Sequence, residues 1–163
     1  MPFPCRLRVV VNPGYLPTYS KNLRKRRLGI AFDDFVDPMV HLVITGGYGF
    51  LGVQAARRFL RAGVCWSRLA GAPMPIQKLT LFDRIPLPDD HLPEELTYDP
   101  RLKILSGNLA DPGIVDEVLD LTACDGDVAV IHFASMVSGD TEMLPAAGWQ
   151  ANVDSQRVML DAL

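Results

Sequence analysis

The chain has 163 residues, 48 % of them hydrophobic and 21 % charged, with sixteen basic side chains against nineteen acidic ones for a formal charge of −3. One domain with a real core fits that length. The charge balance gives no reason to expect nucleic acid as a partner, and no apolar run approaches the ~20 residues needed to span a bilayer. Cys5, Cys65 and Cys124 are odd in number and far apart, as are His41, His91 and His132. Neither set forms a disulfide framework or a metal-ligand cluster, and a reducing, cytoplasmic setting fits best.

Residues 1–38 stand apart. Arg6, Arg8, Lys21, Arg24, Lys25, Arg26 and Arg27 all precede the first acid, Asp33. An Arg-rich, acid-poor start has the character of a transit peptide. Few serines, several prolines and no amphipathic repeat favour instead a poorly ordered extension, with Leu7–Val11 its one strand-like run.

From residue 39 the pattern sharpens. His41–Thr45 is a short apolar run ending at glycines, the signature of a buried strand. Phe50 to Ala62 then reads as a helix, with Leu51, Ala55, Phe59 and Ala62 as its apolar face and Gly63 as its C-cap. Residues 64–77, with Gly71, Pro73 and Pro75, are expected to be a long loop. Lys78–Phe82 is the second strand, Ile85 to Pro100 a loop, and Leu102–Leu105 the third strand. Asp111 before Pro112 is a helix start that runs to about Leu121. Val128–Phe133 is the fourth strand, and Gly148 to Leu163 a closing helix carrying Val153, Val158, Leu160 and Leu163. Continuously apolar strands alternating with helices predict a parallel sheet covered on both faces. The expected class is α/β, a Rossmann-type doubly wound sheet, with residues 39–163 as the nucleotide-binding domain.

The chemistry lies in Gly46-Gly-Tyr-Gly49-Phe-Leu-Gly52, between the first strand and the first helix. Gly46 permits the tight turn, Gly49 lets a pyrophosphate approach the backbone, and Gly52 lets helix and strand pack closely. The helix start offers unpaired N–H groups and a positive dipole end to phosphate. The bland alternative is a glycine turn without a ligand. Asp83 ends the second strand, 31 positions after Gly52, against a usual spacing of about 20, and the 64–77 segment accounts for the excess. A carboxylate there accepts hydrogen bonds from ribose hydroxyls and repels a 2′-phosphate, which favours NAD over NADP. Arg84 is the contrary feature, since a guanidinium pairs with that phosphate, and a plain turn acid is the alternative for Asp83.

These residues resemble the extended short-chain dehydrogenase/reductase superfamily, in its NAD-dependent epimerase/dehydratase group. The spacing Gly46-x-x-Gly49-x-x-Gly52, filled by Phe50 and Leu51, is similar to that group's form. Asn108-Leu109-Ala110-Asp111 resembles its Asp-x-x-Asp motif, which implies an adenine contact from Asn108 and a backbone N–H from Leu109; helix capping alone is the preferred reading of Asp111. His132-Phe-Ala134-Ser135 resembles its His-x-Ala-Ala segment, which implies that Ala134 lines the cofactor, while His132 reads equally well as a half-buried strand histidine. Asn152-Val153 resembles the Asn-Val of the following helix, with Ser155 and Gln156 departing from the usual glycine and threonine. A narrower resemblance, through Gly71–Ile76, Leu79–Asp83 and Met136-Val-Ser138-Gly139-Asp-Thr-Glu142, is to the D-erythronate dehydrogenase family. It implies oxidation of a sugar-acid hydroxyl with hydride transfer to NAD, and makes Ser138, Gly139 and Glu142 substrate-side candidates; a polar loop without a ligand is the alternative.

The superfamily's chemistry uses a tyrosine with a lysine four residues later. The positions four after Tyr15, Tyr19, Tyr48 and Tyr98 hold Tyr19, Leu23, Gly52 and Leu102. No catalytic residue is therefore assigned, and the chain reads as a C-terminally truncated front half, inactive alone and a homodimer only at full length. A non-catalytic dinucleotide-binding module and a fragment of a sugar-nucleotide epimerase or dehydratase are the competing readings.

Overall fold

A computed structural model describes residues 39–88, 91–121 and 126–163. The extension at residues 1–38, with its strand-like Leu7–Val11 and Cys5, lies outside the described residues, as does Cys124. The elements in chain order are β1 (Val40–Thr45), α1 (Phe50–Ala62), β2 (Val64–Ser67), β3 (Ala72–Asp83), α2 (Glu94–Thr97), β4 (Leu102–Ser106), α3 (Pro112–Leu119), β5 (Asp127–His132), α4 (Ser138–Met143) and α5 (Pro145–Trp149). A π-helical turn (Gln150–Asp154) then leads into α6 (Ser155–Asp161).

The parallel strands lie in the order β4-β3-β1-β5. Both neighbours of β1 are parallel to it, so every residue of β1 is buried. Successive side chains of a strand point to opposite faces, and two cores result. Leu42 and Ile44 join Leu79, Leu81 and the α1 residues Val53, Ala56 and Leu60 on one face. Val43 joins Phe82, Val128 and Val130 with Val115 and Val118 of α3 and Met159 of α6 on the other. Burying each such aliphatic side chain contributes about 1.5–3 kcal/mol. Helices on both faces of a parallel sheet make this a Rossmann-type doubly wound fold, present in part.

Four expectations require correction. Residues 64–77 are not a loop: β2 and the first half of β3 form an antiparallel hairpin, pairing Val64 with Pro75 and Trp66 with Pro73. The Ile76 N–H donates to the Gly63 carbonyl at 3.0 Å. By the two-residue repeat of the ladder, Pro73 and Pro75 therefore turn their nitrogens away from β2. There no strand waits, because β1 joins at Ile76 and β4 at Leu79, so proline is tolerated. The Ser67 hydroxyl at the hairpin end bonds the buried Asp127 carboxylate at 2.5 Å, tying the hairpin to the start of β5.

The second correction is rotational. Helix α1 buries Gly52, Val53, Ala56 and Leu60; of the expected face, Ala55 and Phe59 pack half-buried against the same core, while Leu51 is exposed. The apolar face is broader than expected, and the close approach of Gly52 to the turn sets its centre. Third, Ile85 to Pro100 contains α2, whose Glu95 pairs with Arg57 of α1 at 2.6 Å. Fourth, the segment from Ser138 to Glu142 is helical, and the closing helix starts at Pro145 and is broken by the π turn. Val153 and Leu160 are largely exposed, while Ser155 and Met159 face inward. Helix α3 ends at Leu119, close to the expected end, because Asp120 adopts a left-handed conformation. Among the described residues no helix is long and apolar enough to cross a membrane, and no group of three potential ligands could hold a metal ion.

Candidate dinucleotide-binding cleft

Strand β1 sits where the sheet changes direction, with β3 on one side and β5 on the other. Open α/β sheets bind ligands outside the carboxyl ends of strands at such a switch point. A cleft of about 260 Å³ lies there, lined by Gly46 and Gly49, by Asp83 after β3, by Asn108 and Leu109 after β4, and by Ala134 after β5. Six sequence-selected residues from four separate segments thus converge.

The turn between β1 and α1 is fixed by the sheet beneath it. Gly47 N–H donates to the Phe82 carbonyl at 2.8 Å, and Gly49 N–H to the Gly46 carbonyl at 3.2 Å. Gly46 has φ +65°, and a Cβ there would lie 2.7 Å from the backbone of Phe133 and Ala134. At Gly52 a Cβ would meet the Gly46 carbonyl oxygen at 2.5 Å. Gly49 differs: a Cβ there meets nothing closer than the Gly46 oxygen at 3.3 Å and otherwise faces open space. The first two glycines serve packing, and the third keeps the cleft free of a side chain.

The first bond of the helical ladder runs from Val53 N–H to the Gly49 carbonyl at 3.0 Å. The N–H groups of Phe50, Leu51 and Gly52 precede it and are the donors every helix start leaves over. The side chains of Phe50 and Leu51 are exposed, and Phe50, Leu51 and Gly52 follow Gly49 in the chain without themselves lining the cleft. Three N–H groups at the positive end of a thirteen-residue helix, beside a glycine with no side chain, fit a diphosphate.

Asp83 stands across the turn. Its Oδ2 accepts from Tyr48 N–H at 3.1 Å and its Oδ1 from Arg84 N–H at 2.7 Å. Each oxygen keeps a further lone pair, so the carboxylate is oriented without being used up. Tyr48 is itself buried, and its hydroxyl donates to the Leu105 carbonyl at 2.6 Å. Burial, and then the nearby Asp83 charge, push its pKa up to about 12. That is the wrong direction for a phenol acting as a base. Tyr98 is largely exposed on the α2 side, and neither described tyrosine sits in the cleft.

Asn108 Oδ1 accepts from Ala110 N–H at 3.1 Å, which holds the side chain at the end of β4. Leu109 is buried in the α3 core. Asp111 caps α3 by accepting from Gly113 N–H at 2.9 Å, as preferred from sequence. His132 does not line the cleft; its Nδ1 lies 2.7 Å from Thr45 Oγ1, under the turn. The same hydroxyl accepts from Ala134 N–H at 3.4 Å. Burial holds the His132 pKa below its usual value, and its buried Nε2 has no partner among the described residues.

Ser138, Gly139 and Glu142 lie exposed on α4 and are not brought to the cleft, whose wall on that side ends at Met136. Sequence reasoning missed the device that shapes that wall. The Asn152 amide grips the Met136 backbone from both sides, with Oδ1 accepting from N–H at 2.7 Å and Nδ2 donating to the carbonyl at 3.0 Å. Asn152 lies in the π turn, and no local pattern announces a contact sixteen positions away. Ser155, buried at the cleft floor, bonds the Ala151 carbonyl with its hydroxyl at 2.5 Å.

The sequence profile of the NAD dependent epimerase/dehydratase family matches residues 42–163. The chain is 35 % identical over 122 residues to a D-erythronate dehydrogenase of Cupriavidus necator, covering 75 % of this chain and 34 % of that protein. It is 30 % identical over 120 residues to a D-erythronate dehydrogenase of Haemophilus influenzae, covering 74 % of this chain and 32 % of that one. The chain thus spans about a third of the length of these curated relatives. Its fold is similar to that of a nucleoside-diphosphate-sugar epimerase from Agrobacterium tumefaciens, with a TM-score of 0.55 and 23 % identity, over 82 % of this chain and 35 % of the other.

Proposed function

The chain belongs to the NAD dependent epimerase/dehydratase family, and from that premise we propose that it is the NAD-binding half of an oxidoreductase of the D-erythronate dehydrogenase type. The observation that carries the reading is the convergence of Gly46, an open Gly49 and an oriented Asp83 on one cleft, next to the start of α1 with its unclaimed N–H groups. In this reading the amides of Phe50, Leu51 and Gly52 hold the diphosphate, and Asp83 accepts from the adenosine ribose hydroxyls. Asn108 and Leu109 border the adenine, and Ala134 borders the nicotinamide side. NAD, when bound, accepts the hydride from a sugar-acid hydroxyl. Residues 39–163 form the nucleotide-binding unit and residues 1–38 an extension to it, in a cytoplasmic setting.

The substrate class rests on the two D-erythronate dehydrogenase relatives and on the Met136–Glu142 segment, so Ser138, Gly139 and Glu142 remain substrate-side candidates. Neither described tyrosine is placed to remove the proton: Tyr48 spends its hydroxyl on a backbone carbonyl and Tyr98 lies outside the cleft. Calorimetric titration of the folded chain with NAD and NADP tests the reading. Saturable heat with NAD, weaker binding of NADP, and loss of that preference in Asp83→Ala are expected. A folded sample that gives no heat with NAD refutes it.

A further inference from the structure

Strand order gives the cleft a direction. Its lining runs from Asn108 after β4, past Asp83 after β3 and Gly49 after β1, to Ala134 after β5. On the NAD reading above, that order places the adenine at the β4 end, the diphosphate in the middle and the nicotinamide half at the β5 end. The nicotinamide half carries ribose hydroxyls and a carboxamide, groups that need polar partners once water is displaced. The β5 segment lines this end with the apolar side chains of Phe133, Ala134 and Met136, and with the short hydroxyl of Ser135.

The π turn brings a longer polar side chain to the same end. Its Ser155 N–H bonds the Gln150 carbonyl, five residues back. In an α-helix, positions five apart lie about 140° apart around the axis, on different sides. The i→i+5 winding packs more residues into the turn and draws such positions toward one face, and Gln150 and Ser155 both line the cleft. The Asn152 amide, two residues on, is bonded to the Met136 backbone at 2.7 and 3.0 Å. That grip fixes the turn at the β5 end of the cleft, away from Asp83 and Asn108. Turns of this kind are rare and frequent at functional sites.

The polar groups of the turn differ in what they have left to offer. Ser155 donates its hydroxyl to the Ala151 carbonyl, and the Asn152 amide is taken up by Met136. The Gln150 side chain is exposed, and its amide makes no hydrogen bond among the described residues. It carries two donors and an acceptor on a flexible stem. We propose that Gln150 is a cofactor-contact residue whose side-chain amide hydrogen-bonds the nicotinamide half of the dinucleotide. This contact presupposes the NAD reading and adds to it a side chain that no sequence motif singled out.

The test titrates three forms of the chain, unchanged, Gln150→Leu and Gln156→Leu, with NAD and with ADP by calorimetry. ADP holds the adenosine and the diphosphate but neither the nicotinamide nor its ribose. Leucine keeps much of the bulk of glutamine and removes its hydrogen-bonding atoms. Gln156 is exposed and does not line the cleft, so its variant reports what the loss of a solvated glutamine does by itself. One net hydrogen bond corresponds to roughly two- to tenfold in affinity. Gln150→Leu is expected to weaken NAD by that factor and to leave ADP unchanged, and Gln156→Leu to leave both unchanged. Unaltered NAD affinity in Gln150→Leu overturns the assignment and leaves the NAD reading standing. Equal losses for NAD and ADP overturn it too, because the contact then lies on the adenosine diphosphate half, as does an equal loss for NAD in Gln156→Leu. Absence of NAD binding by the unchanged chain overturns both.

Discussion

Replacing Gly49 by alanine separates a binding glycine from a packing glycine. The backbone at Gly49 has φ −72°, which any residue adopts, so the substitution carries no conformational strain. The added methyl meets one atom, the Gly46 carbonyl oxygen at 3.3 Å, and otherwise projects into the cleft. Stability should change by less than about 1 kcal/mol, or ~4 °C in Tm. Affinity should change far more. A methyl between backbone and diphosphate removes at least one charge-assisted hydrogen bond, about 1.5–3 kcal/mol, which is roughly 10- to 150-fold in NAD Kd. Gly52→Ala is the contrast: its Cβ would lie 2.5 Å from a carbonyl oxygen and 2.6 Å from Gly47 Cα, all of it backbone. That variant should lose about 1–3 kcal/mol of stability or more. Calorimetry with NAD, beside thermal melts followed by circular dichroism, reads both quantities. A well-folded Gly49→Ala protein that binds NAD within threefold of the unchanged chain would refute the reasoning.

Acid should destabilise the fold through His41, which is buried with Nε2 2.8 Å from Thr80 Oγ1 and has a pKa lowered to about 4, chiefly by burial. The unfolded chain takes up the proton near pH 6.5 and the native state only near 4, so stability is complete above pH 6.5 and falls as the pH drops toward 4, by up to about 3 kcal/mol. Urea midpoints at pH 7.5 and 5 should differ in the unchanged chain, and the difference should shrink in His41→Gln to what His132 contributes. Asp111→Ala removes the cap that holds Gly113 N–H and should cost about 1 kcal/mol, read as a lower urea midpoint with NAD affinity little altered.

Much of the cleft was legible because its parts are local. A strand, a three-glycine turn and a helix follow one another within 23 residues, and the helix bounds Phe50–Ala62 and the Gly63 cap hold in the structure. The cofactor follows equally, since the family matched over residues 42–163 is NAD dependent. The hairpin at residues 64–76 was not legible: Pro73 and Pro75 look like strand breakers until it is known which edge of β3 has no neighbour. The centre of the buried face of α1 was hidden too, because its apolar residues span a broad arc and only the contact of Gly52 with the turn sets which of them lie deepest.

Sequence alone set the four parallel strands, the helices α1 and α3, the glycine turn and the acid that ends β3, because each depends on residues close together in the chain. Tertiary structure decided which distant segments are tied together. His91 on the Tyr48 carbonyl, Asn152 on the Met136 backbone and Ser67 on Asp127 all join segments that only folding brings within hydrogen-bond range. Hydrogen bonds act over about 3 Å, and no local periodicity reports a distance between residues sixteen to sixty positions apart.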